Sequence, residues 1–132
     1  MWWVRWTNLV CGVLLGVGAL GFFILGPYDL PEFSRQVGDT WLDQFWHWVS
    51  QSWVGFVWAL LSALCFANTR WANNTDRLNL RALANLAAVL FLGLLLVRGS
   101  ADPAEPLVLV FLALGPLVAL AGAWRQSQVQ PR

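Results

Sequence analysis

The chain's single histidine, His47, stands four residues after Asp43 and three before Ser50. A carboxylate, an imidazole and a hydroxyl at that spacing share one face of a helix, and surface lipid modification using Asp43 and His47 is the chemistry they suggest. A catalytic trio, however, converges on its substrate, usually from different chain segments. Three side chains in one stripe point outward in parallel, so the wet face of a helix lying at a membrane surface accounts for them more simply. Haem ligation lacks a second partner, because the only methionine, Met1, is expected on the opposite side of the membrane. Cys11 and Cys65 fall inside apolar runs without CxxC spacing, so they read as small hydrophobes rather than redox or metal groups. Asn8 and Asn85 are the polar side chains set deepest in apolar surroundings, with Ser62. Hydrogen bonding between helices is their expected role. The sequence implies no cofactor and no metal.

The elements that must position these groups are set by composition. Of 132 residues, 58% are hydrophobic and 11% charged, where a soluble domain carries roughly 25% charged residues. A chain this short has too much surface to go without polar cover in water. Lipid is therefore the expected solvent, and with a net charge of +1 nucleic acid is not an expected partner. Four apolar runs, about 8–25, 49–67, 82–97 and 107–124, approach the ~20 residues needed to span hydrocarbon. The expected fold is all-α: a single polytopic membrane domain of four transmembrane helices over residues 1–132. No small-x-small cleavage site follows the first run, so it reads as a retained span rather than a signal peptide.

Between the first two spans lies WLDQFWHWVSQSW. On a helix at 100° per residue, Trp41, Leu42, Phe45, Trp46, Trp48, Val49 and Trp53 fall within an arc of about 160°. Asp43, Gln44, His47, Ser50 and Gln51 take the other side. This pattern predicts an amphipathic interfacial helix over about 40–53, its tryptophans in the headgroup layer. Trp2, Trp3, Trp6, Trp71 and Trp124 take belt positions at the other interface, leaving Trp58 inside a span.

With four spans both termini share one side. That side carries Arg5, Arg70, Arg77, Arg81, Arg125 and Arg132; the other carries only Arg35 and Arg98. The positive-inside rule then puts both termini in the cytoplasm, and a bacterial inner membrane is the expected location. Arg70, Arg77 and Arg81 are expected at anionic headgroups. The segment NTRWANNTDRLNL after the second span reads as a loop with turns and a helix cap, and 99–106 as a short proline-bearing turn.

Small residues recur along the spans: Gly12, Gly16 and Ala19 in the first, Gly55, Ala59 and Ser62 in the second, Gly115, Ala119 and Gly122 in the fourth. Such stripes let helices approach closely in lipid. Asn8-Leu9 followed by Gly16, and Asn85-Leu86 followed by Gly93, hint at two related hairpins. Every ionisable residue sits at a span end or in a loop, whereas proton relays and ion-coupled carriers need such groups in mid-membrane. The function these features favour is a non-catalytic integral membrane subunit, or an assembly or stabilising factor, of a larger complex of respiratory, photosynthetic or secretion type. Its partners would be membrane lipids and other integral membrane subunits. The polar tail from Gln126, which would normally fray, suggests a partner holding it. The alternatives are a small oligomeric transporter, flippase or channel lined by Asn8, Asn85 and Ser62, and the surface enzyme of Asp43 and His47.

Overall fold

The computed structural model describes residues 1–25, 40–42, 53–74, 77–99 and 105–129. They form four long helices: α1 (Trp2–Leu25), α2 (Trp53–Trp71), α3 (Leu78–Arg98) and α4 (Glu105–Val129). All four are long and apolar enough to cross a membrane. The shortest, α2, has 19 residues and is about 28 Å long, close to the hydrocarbon thickness. Of the expected interfacial segment, Trp41 and Leu42 are exposed and Trp53 opens α2. Asp43, Phe45, Trp46, His47, Trp48 and Val49 lie outside the described residues.

The helix ends correct the sequence reading. Helix α1 starts six residues earlier than the apolar run, at Trp2, because Trp and Arg are acceptable helix formers even where hydropathy is interrupted. Helix α2 continues through Asn68, Thr69 and Arg70 to Trp71, residues read as loop. Thr69 Oγ1 donates back to the Cys65 carbonyl at 3.0 Å, so its hydroxyl is satisfied inside the helix. Helix α4 begins at Glu105, with Pro106 in its first turn, where a missing N–H costs nothing. At the start of α3 the cap position is Arg77, left-handed at φ 58° and without a side-chain cap.

The bundle is built as lipid requires. Large apolar side chains such as Leu83, Leu90, Leu94, Val97 and Leu107 face outward, while Cys11, Ala19, Cys65 and Ala119 are buried with a few leucines. Close backbone approach therefore replaces the oily core of a soluble protein. Helix α1 packs most extensively on α2, and α4 on α3; α1 and α4 also meet, and α2 touches α3 and α4 more lightly. Added at Gly12, a Cβ would lie 3.3 Å from the Phe66 ring; at Gly16, 3.2 Å from Ser62 Oγ. At Gly18 it would collide with the Trp58 ring, which stands edge-on to Phe22 with centroids 5.3 Å apart. Helix α4 presents Gly115 to Cys65 and Gly122 to Val4. Pro116, fully buried beside Gly115, removes one helical hydrogen bond without ending the helix.

Candidate functional site

Polar chemistry inside the bundle concentrates near the end where α1 begins and α2 stops. Asn8 of α1, Asn68 of α2 and Asn85 of α3 are all buried, at 0%, 2% and 2% exposure. Asn68 is the hub. Its Nδ2 donates to Asn8 Oδ1 at 3.1 Å and to Asn85 Oδ1 at 2.8 Å. Asn85 Nδ2 returns a bond to Asn68 Oδ1 at 2.8 Å, so these two amides pair reciprocally. The outer amides are tied to their own helices: Asn8 Nδ2 donates to the Val4 carbonyl, and Asn85 Nδ2 to the Arg81 carbonyl, each at 2.9 Å. Helix α4 completes the ring through Gly115, whose missing side chain makes room: a Cβ there would lie 2.6 Å from Cys65 Sγ and 3.2 Å from Asn8 Oδ1.

A second polar layer lies at the mouth. Arg81 is only 4% exposed. Its guanidinium donates to the Asn74 carbonyl and, at 3.2 Å, to Gln126 Oε1, and sits 6.0 Å from the Trp71 ring centroid. Gln126 Nε2 donates to the Ala72 carbonyl at 3.0 Å. Arg81 therefore faces into the bundle rather than the headgroups, because the turn at residues 72–74 and the end of α4 offer it oxygen acceptors. At Gln126 the end of α4 is likewise held by this chain's own turn. On the other side of the clasp, Ser62 Oγ donates to the Gly12 carbonyl at 2.7 Å, joining α2 to the small-residue stripe of α1.

Asn8 and Asn85 are thus brought into one network, although they do not touch. Gly12, Ala19, Gly55, Ser62, Gly115, Ala119 and Gly122 are buried, while Gly16 and Ala59 are half-buried. Cys11 and Cys65 are buried free thiols in the same core. Sequence reasoning missed Asn68, Arg81 and Gln126. Asn68 did carry a signal: it follows Ser62 and Cys65 at three-residue intervals and so extends their face of α2. Amides are neither acids, bases nor nucleophiles at neutral pH, and these spend their hydrogen bonds on one another. Among the described residues no group of three His, Cys, Asp or Glu side chains is placed to hold a metal. What the arrangement does is fasten α1, α2 and α3 together, with α4 packed closely through Gly115 and tied at the mouth by Gln126. Comparison with family models, curated proteins and solved structures returns no match.

Proposed function

We propose that this chain is a non-catalytic integral membrane subunit, or an assembly or stabilising factor, of a larger membrane complex. One observation carries the reading. Gly93 sits in the middle of α3, where glycine costs about 1 kcal/mol of helix propensity relative to alanine. A Cβ at Gly93 would meet nothing within 4 Å. Among the described residues no contact gains from this glycine. Its neighbours at helical spacing, Leu86, Leu90 and Val97, are all exposed, so the glycine forms a notch in an outward apolar ridge. The corresponding glycine after Asn8, Gly16, packs on Ser62 of α2. By that correspondence the Gly93 face is where a helix of another subunit seats.

Gly12, Gly16, Gly55, Gly115 and Gly122 of α1, α2 and α4 meet neighbours within the bundle, whereas Gly93 of α3 and Gly21 near the end of α1 meet none; the exposed ridge around Gly93 makes α3 the face proposed for a partner. Arginine placement supports cytoplasmic termini, and a bacterial inner membrane fits the same reading. The transporter alternative loses ground because its candidate path residues, Asn8, Asn85 and Ser62, all hydrogen-bond within or between helices. The test is purification in mild detergent of the wild-type chain and of Gly93→Leu. A defined larger polypeptide should accompany the wild type and be lost from the variant, with helicity unchanged. A wild-type chain that purifies alone or as a pure homo-oligomer refutes the subunit reading, and the homo-oligomer favours transport.

A further inference from the structure

At the end remote from the asparagines, about 15–22 Å from Asn68 along α2, a crevice of about 380 Å³ lies between α2 and α3, closed by α4 and by Phe22 of α1. That volume lies in the usual ligand-pocket range of ~300–1,000 Å³. Trp53 stands at its rim; Trp58, Leu92, Leu109 and Leu112 form its walls and floor. Among the described residues, the ionisable group lining it is Glu105, in the first turn of α4. Arg98, at the nearby end of α3, does not line it.

The lining of the crevice follows α4 from Glu105 to Leu112, about 10 Å along the first turns of that helix. Apolar side chains make up its walls and floor, which suits a hydrocarbon chain. Charge points to the head: the Glu105 carboxylate attracts an ammonium and repels an unshielded phosphate.

We propose that this crevice is a binding site for one phospholipid carrying a primary amine head, its acyl chain between α2 and α3 and its ammonium on Glu105. The site does not rest on the subunit reading, since it uses a different surface from the Gly93 ridge. The test is native mass spectrometry of the full chain, delipidated and re-equilibrated with equal phosphatidylethanolamine and phosphatidylglycerol. The wild type should retain one phosphatidylethanolamine with a preference of about tenfold, the scale of one charge-assisted hydrogen bond in a partly wet site. Val54→Trp, which fills the crevice, should abolish retention; Glu105→Gln should keep a lipid but lose the preference. Equal retention of the two lipids by the wild type, undiminished retention by Val54→Trp, or an unchanged preference in Glu105→Gln overturns the proposal. So does a co-purifying polypeptide displaced by Val54→Trp, which would assign the crevice to a partner. If Val54→Trp fails to fold, the Glu105→Gln preference alone decides.

Discussion

Replacing Asn68 with leucine tests whether the amide network holds the bundle closed. Asn68 takes part in three hydrogen bonds to other helices, two donated and one accepted. Interhelical bonds in membranes average ~0.6 kcal/mol and reach ~1.7, so their loss alone amounts to about 2–5 kcal/mol. The change also strands the buried Asn8 Oδ1 and Asn85 Oδ1, while Asn85 Nδ2 keeps its bond to the Arg81 carbonyl, which places the expected loss near 3 kcal/mol. Asn85→Leu alone breaks the reciprocal pair and should cost about 2 kcal/mol. The two changes share their bonds, so the double variant should cost far less than the sum, about 3 kcal/mol in all, with a coupling near 2 kcal/mol. The assay is loss of far-ultraviolet helicity as a denaturing detergent is titrated into protein held in a mild one. Asn68→Leu within about 0.5 kcal/mol of wild type, the size of an ordinary surface change, would refute the clasp. Strict additivity of the two single changes would do so as well, since it would mean that the amides do not act together.

The glycines give an internal comparison: Gly115→Ala drives a methyl against Cys65 and should destabilise the isolated chain by about 1–3 kcal/mol, whereas Gly93→Ala should raise its stability by about 0.5–1 kcal/mol. The same detergent titration reads both, and equal effects would contradict the packing described. Arg77 and Gly99 are the two described left-handed residues, so Arg77→Gly should stabilise and Gly99→Ala destabilise, each by about 1 kcal/mol. Thermal melting of the purified variants shows whether the signs are opposite, as the backbone angles require.

The spans were legible because lipid leaves the backbone no alternative to a helix, and apolar runs of that length admit little else. Their ends were not, because a helix outlasts its apolar run wherever polar residues find partners. Asn68 shows the difficulty. In NTRWANNT it has the company of a loop, and only its spacing from Ser62 and Cys65 places it on the inner face. Arg81 misled for a related reason. Charge near a span end ordinarily means headgroups, but here the Asn74 carbonyl and Gln126 turn the guanidinium inward. The small residues of α1, α2 and α4 could be picked out by type, yet not the neighbour each one meets. Gly18 went unnoticed, though the Trp58 ring lies where its side chain would be.

The clasp also sets an order of events during synthesis. Asn8 leaves the ribosome 60 residues ahead of Asn68, and Asn68 a further 17 ahead of Asn85. Until then the first helix carries an amide whose oxygen has no donor from a neighbouring span, a discomfort that favours shelter in the insertion machinery over release into bilayer. Gln126, the last of the bolts, is made near the end of α4 and reaches back to Ala72 and Arg81. Closure of this molecule is therefore a late act of its synthesis, and a polypeptide cut short before Gln126 would lack the bolt to Ala72 and Arg81.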